Sequence, residues 1–74
     1  MISYKPLFRT LIEKDIKRSQ LMQIAGIGST QVAKFRKNEY VSLKTIEAIC
    51  KALNCRVEDV IEFTFPENNK DLLL

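Results

Sequence analysis

Two glycines occur in this chain of 74 residues, and they stand two positions apart, at Gly26 and Gly28. Glycine takes positive φ without the clash that a Cβ imposes, so a sharp backbone reversal is expected there. The link is Gly26-Ile27-Gly28-Ser29. Ile27 is too apolar for an exposed turn and is expected to point into the core. Helical spacing flanks the link on both sides. Leu21, Ile24 and Ala25 form a short stripe, which predicts a helix over about Arg18 to Ala25, closed by Gly26. Val32 and Phe35 form a second inward stripe, which predicts a helix over about Ser29 to Lys37. Ser29, Thr30, Gln31, Lys34 and Lys37 are left facing out. Two short helices joined by a glycine-containing turn make a helix-turn-helix unit, here residues 18–37. Ala25 and Gly26 are small enough to let the backbones turn, and Leu21, Ile27, Val32 and Phe35 fill the wedge between them.

The same periodicity organises the rest. Leu7, Phe8, Leu11, Ile12 and Ile16 predict a first helix over about Tyr4 to Lys14, with Pro6 at an early position where a missing N–H costs little. Lys37-Asn38-Glu39-Tyr40-Val41 reads as a polar turn, with Asn38 suited to a left-handed cap. Ser42 is a good N-cap for a helix marked by Leu43, Ile46, Ile49, Cys50 and Leu53, ending near Asn54. Val57, Val60 and Ile61 predict a short fifth helix over about Val57 to Glu62. The alternation from Ile61 to Pro66 then reads as a short strand or extended arm. The fold expected is all-α, five helices with a short C-terminal strand. Leu21, Phe35 and Ile46 belong to its core. Residues 1–66 are expected to form one small domain and residues 67–74 a flexible tail.

Charge is distributed unevenly. The net charge is +3. From Lys17 to Lys44 the bases Lys17, Arg18, Lys34, Arg36, Lys37 and Lys44 face one acid, Glu39, for a local balance of +5. From Arg56 onward, Arg56 and Lys70 face Glu58, Asp59, Glu62, Glu67 and Asp71, for −3. The segment that holds the helix-turn-helix therefore suits phosphate, and the acidic end should lie away from it. The outer face of the second helix of the unit carries hydroxyl, amide and ammonium groups, which suit base edges and phosphates.

Several classes of function are disfavoured. The chain has no His, the commonest general base and metal ligand, and no phosphate loop or paired carboxylates in an enclosed site, so an enzyme is not expected. Cys50 and Cys55 cannot complete a tetrahedral zinc site alone. They read as two small buried apolar residues, and nothing suggests the export that would favour a structural disulfide. No cofactor, metal or small-molecule ligand is expected. With no membrane-spanning run and no signal-type stretch in Met1–Phe8, the expected location is the cytoplasm.

From Leu7 to Ile61, about three quarters of its length, the chain resembles the Cro/cI-type helix-turn-helix domain, also called the XRE family. The likeness runs through Ile16-Lys17-Arg18-Ser19-Gln20-Leu21-Met22-Gln23-Ile24-Ala25-Gly26-Ile27 and on through Gly28-Ser29-Thr30-Gln31-Val32-Ala33-Lys34-Phe35. It resumes at Leu43, Ile46, Ile49-Cys50-Lys51-Ala52-Leu53-Asn54-Cys55 and Val57-Glu58-Asp59-Val60. The chain looks most like the short, single-domain members of Gram-positive bacteria and their mobile elements, which resemble phage Cro in lacking an effector domain. The resemblance implies the five-helix lambda-repressor-like bundle. It also implies that Arg18 lies against phosphate and that Ser29, Thr30, Gln31 and Lys34 enter the major groove of double-stranded DNA. Lys37, Asn38, Tyr40, Ser42 and Lys44 would grip phosphate beyond that helix. There are departures from the family pattern. Lys17 stands where a Ser or Thr cap is usual, Gly28 where Ser is usual, and Leu11 and Arg36 replace an Arg–Glu pair.

The resemblance implies a sequence-specific transcriptional regulator, expected to bind a palindrome as a homodimer and to repress by excluding RNA polymerase. Phe63 and Phe65 either pack on the chain's own arm, Ile2 to Tyr4, or cross a dimer interface; an alternating edge segment invites strand pairing, which favours the interface. The alternative function is a protein-binding module such as an antitoxin, for which the acidic tail and Leu72-Leu73-Leu74 would serve.

Overall fold

The structure, a computed structural model, describes residues 1–65. The tail expected at 67–74 lies outside the described residues. In chain order the elements are β1 (Ile2–Ser3), α1 (Lys5–Glu13), α2 (Arg18–Ala25), α3 (Ser29–Arg36), α4 (Leu43–Leu53), a 3-10 turn (Val57–Asp59) and β2 (Glu62–Phe63). The four α-helices fall where the apolar spacing puts them.

Each helix ends the same way. A residue with positive φ follows the last turn: Asp15 at 55°, Gly26 at 68°, Asn38 at 55° and Asn54 at 51°. The next N–H then reaches back five residues to a carbonyl of the last turn. These bonds are Ile16 to Leu11 at 2.9 Å, Ile27 to Met22 at 3.1 Å, Glu39 to Lys34 at 2.9 Å and Cys55 to Cys50 at 3.0 Å. This is the Schellman arrangement, which satisfies helix-end carbonyls and turns the chain sharply. Four such turns pack four short helices around one core.

That core holds Leu7 and Leu11 of α1, Leu21 of α2, Phe35 of α3, Ile46, Ile49 and Leu53 of α4, and Val60. The expected core residues Leu21, Phe35 and Ile46 are among them. Ile27, Val32, Ile16 and Phe8 pack partly buried against it. Four apolar residues counted in the inward stripes are exposed instead: Ile12 at 80%, Ile24 at 52%, Leu43 at 79% and Val57 at 49%. Ile12 sits about 100° around α1 from buried Leu11, past the edge of its inward stripe. Ile24 occupies the corresponding margin of α2. Leu43 is the first residue of α4, one turn before its inward stripe begins.

The fifth α-helix expected over Val57 to Glu62 is replaced by the single 3-10 turn Val57–Asp59. The physical reason lies in its bonds to the N-terminal part of the chain. The Asp59 carbonyl accepts from Thr10 Oγ1 at 2.7 Å, and the Val60 carbonyl accepts from Leu7 N–H at 3.1 Å. These bonds hold the turn against α1, and the ladder with β1 takes Glu62 into extended backbone where the expected helix would have its last residue. The chain then extends and β2 pairs antiparallel with β1, Ile2 opposite Phe63 and Ser3 opposite Glu62. The short C-terminal strand therefore forms, and the chain's own N-terminal arm is its backbone partner. The side chains of Phe63 and Phe65 stay outside, at 60% and 72% exposure.

Sequence reasoning missed how deeply that arm is buried. Ile2 and Tyr4 belong to the core, and Tyr4 has no exposed surface. Its ring packs on Phe35 of α3 with centroids 4.8 Å apart.

Candidate nucleic-acid interface

α2, the Gly26–Gly28 link and α3 form the expected helix-turn-helix. Gly26 supplies the left-handed residue, and no heavy atom lies within 4 Å of where its Cβ would be. Its conformation, and not crowding, is what asks for glycine. Gly28 is the N-cap of α3 with extended backbone, φ −95° and ψ 174°. Having no side chain, it gives the first N–H groups of α3 no cap bond. Ser29 is therefore the first helical residue and not the cap. The free N–H groups of Ser29 and Thr30 point out of the helix toward whatever anion or water approaches.

Burial defines which face of α3 is outward. Phe35 is buried and Val32 half-buried; Ser29, Thr30, Ala33, Arg36 and Lys37 are exposed. Gln31 and Lys34 are half-buried, on the shoulder that turns toward the core. Gln31 shares a shallow groove with Lys44, Thr45 and Ala48 of α4 and with the residues of the link. Ser29, Ala33, Arg36 and Lys37 line another groove with Met22 and Val32 on the α2 side. The four residues expected to read bases thus divide: Ser29 and Thr30 stand on the crest, Gln31 and Lys34 on the flank. Ala33 and Arg36 also stand on the outward face. A helical wheel centred opposite Phe35 finds Ala33 from the sequence, whereas Arg36 lies about 100° from Phe35, as Lys34 does, and only burial separates the two.

Arg18 opens α2 and is exposed, with its guanidinium carbon 5.7 Å from the centroid of the Phe8 ring of α1. That cation–π contact holds the charge at the head of the helix. Lys17 precedes it as N-cap, and its ammonium cannot accept an N–H bond. Gln20 partly compensates: its Oε1 accepts from Lys17 N–H at 2.8 Å.

The loop from Lys37 to Ser42 is pinned from beneath by the N-terminal arm. Tyr4 N–H donates to Asn38 Oδ1 at 3.3 Å, and Tyr4 Oη donates to the Glu39 carbonyl at 2.6 Å. Burial pushes the Tyr4 phenol above its ordinary range, so it stays a neutral donor. Asn38 spends its carbonyl oxygen internally and keeps its NH2 for an outside acceptor. Ser42 caps α4, accepting from Thr45 N–H at 3.2 Å, and its hydroxyl lies 3.1 Å from Thr45 Oγ1. Lys37, Tyr40 and Lys44 are exposed around this loop. The surface that results has an uncapped helix N-terminus and small polar side chains at its centre, with Arg18, Arg36, Lys37 and Lys44 on several sides. Among the described residues no group of three or more His, Cys, Asp or Glu side chains is placed to hold a metal. Among them, too, no helix is long and apolar enough to cross a membrane.

Comparison with known proteins gives this surface its context. Residues 7–66 match the model of the Cro/C1-type HTH DNA-binding domain. The chain is 38% identical over 53 residues to the SPbeta prophage-derived HTH-type transcriptional regulator YopS of Bacillus subtilis (strain 168), covering 69% of this chain and 72% of that relative. The fold is similar to the crystal structure of the transcriptional regulator VanUg, with a TM-score of 0.81 and 42% identity, covering 89% of this chain and 87% of that one.

Proposed function

We propose, for a chain that belongs to the Cro/C1-type helix-turn-helix DNA-binding domain family, that it is a sequence-specific transcriptional regulator that binds a palindromic operator as a homodimer. Such a complex represses by steric exclusion of RNA polymerase, a mechanism that asks for no effector domain. The observation that carries the reading is the outward face of α3. It is small and polar, its N-terminus is uncapped, and basic side chains surround it.

In this reading α3 lies in the major groove. Ser29 and Thr30 meet base edges first, with hydroxyls that pair with several bases. Gln31 and Lys34 reach the groove from the flank, where an amide suits adenine and an ammonium suits guanine. Ala33, central on the face, offers a methyl to thymine. Arg18, Lys37, Asn38, Tyr40, Ser42 and Lys44 contact phosphate, which sets register and most of the affinity. Phe63 and Phe65, exposed beside the outer edge of β2, form the contact between two copies.

Gel-shift titration with a selected operator and with random duplex tests the division of labour. Thr30→Ala and Lys34→Ala should lower discrimination by about 1–3 kcal/mol each. Lys44→Ala should weaken both duplexes alike and reduce the slope of affinity against salt by about one. If the chain binds neither duplex, or binds with no dependence on salt, the regulator reading fails.

A further inference from the structure

The four helix-ending turns each bring two side chains together, at the positions joined by the long backbone bond. The pairs are Leu11 with Ile16, Met22 with Ile27, Lys34 with Glu39 and Cys50 with Cys55. The first two positions hold pairs of apolar residues and the third a lysine and a glutamate. The fourth joins two thiols, across the end of α4. Cys55 N–H donates to the Cys50 carbonyl at 3.0 Å, which fixes the two backbones in close register. The two side chains line one groove at the end of α4. Both cysteines are free and half-buried. They face a shallow groove on α4 whose other walls are Lys44, Glu47, Ala48 and Lys51, so a small molecule has access to them.

We propose that Cys50 and Cys55 are a dithiol modification site, which a low-molecular-weight disulfide closes into an intrachain disulfide. The chemistry is two exchange steps. One cysteine thiolate attacks a sulfur of the small disulfide; a protein–small-molecule S–S bond forms and one small thiolate leaves and takes up a proton. The second cysteine, as thiolate, attacks the protein sulfur of that mixed disulfide; the Cys50–Cys55 bond forms and the second small thiol leaves. Two protein thiols are oxidised and one small disulfide is reduced to two thiols. Burial raises both thiols above their ordinary range, so they rest protonated and exchange slowly near neutral pH. Proximity then favours the second step over a stable mixed disulfide. Lys44, a proposed phosphate contact, stands at the far wall of the same groove, but the exchange chemistry itself is independent of the DNA-binding reading.

The test equilibrates the whole chain in glutathione redox buffers, folded and in urea, followed by acid quenching and intact mass. The folded chain should lose two hydrogens, with little glutathione adduct. It should do so at an equilibrium constant at least about tenfold above that of the urea-unfolded chain. Cys50→Ser and Cys55→Ser should each carry one glutathione instead. An equal constant in both states overturns the proposal. So does a folded chain that stays reduced throughout, or whose main product is an adduct or a disulfide-linked dimer.

Discussion

Tyr4 links the N-terminal arm to the loop after α3 through one ring and two hydrogen bonds. Its Oη–H to the Glu39 carbonyl should contribute about 1 kcal/mol, so Tyr4→Phe should lower urea-unfolding stability by that amount. Its pKa gives the change a pH signature. The folded-state value is raised by burial, so the neutral form is favoured in the folded chain. The resulting stability is complete below the unfolded phenol pKa of about 10 and is lost as pH rises through the folded value. Urea titrations from pH about 9 to about 11 should show the native chain losing stability more steeply than Tyr4→Phe. Equal slopes would contradict a buried, donating phenol. Nothing in Met1–Tyr4 shows this role to sequence reasoning, because a four-residue arm has no period to detect. Phe35, Leu21 and Ile46 were readable because each sits mid-stripe on a helix. Ile12, Ile24 and Leu43 show that apolar type alone does not give inward direction at the margin of a stripe or before it begins.

Helix ends set where this chain turns, through one recurring backbone bond. Three of the four left-handed terminators are Asp15, Asn38 and Asn54, and a glycine would hold that conformation with less strain. Asn54→Gly should therefore stabilise by up to about 1 kcal/mol in thermal or urea unfolding. Gly26→Ala should cost about 1 kcal/mol, from backbone strain and not from crowding. Gly28 has room for a side chain and an extended cap conformation, so Gly28→Ser should gain a few tenths of a kcal/mol by capping α3. A loss on Gly28→Ser would contradict the cap geometry. Helix positions were legible because Gly26, Asn38, Ser42 and Asn54 punctuate the chain in agreement with its apolar spacing. The region after Val57 was not, because its extended course depends on pairing with Ile2 and Ser3, about sixty residues away. Local pattern holds no record of such a bond.

As one body, the molecule carries a basic helix-turn-helix segment and, on its two-stranded sheet, a pair of exposed aromatics. The segment Lys17–Lys44 carries the basic excess and builds the face around α3. The sheet of β1 and β2 presents Phe63 and Phe65 to solvent beside an open strand edge. Exposed aromatics at a strand edge suit pairing with a second copy. In sedimentation, native chain should run as a dimer and the variant Phe63→Asp with Phe65→Asp as a monomer; unchanged mass would dismiss this interface. The candidate DNA surface was partly legible, since polar side chains at helical spacing after a glycine turn announce an outward face. Gln31 at the margin of that face is legible too, since it lies about 40° from Phe35 on a helical wheel. Lys34 on the flank is not, because at about 100° from Phe35 it mirrors exposed Arg36 and only burial separates the two. The decisive measurement is selection of bound sites from random duplex DNA, followed by footprinting of the preferred site. Two protected half-sites of inverted sequence, about one helical turn apart, are predicted for a dimer that places α3 in successive major grooves. Recovery of no preferred sequence would contradict the account.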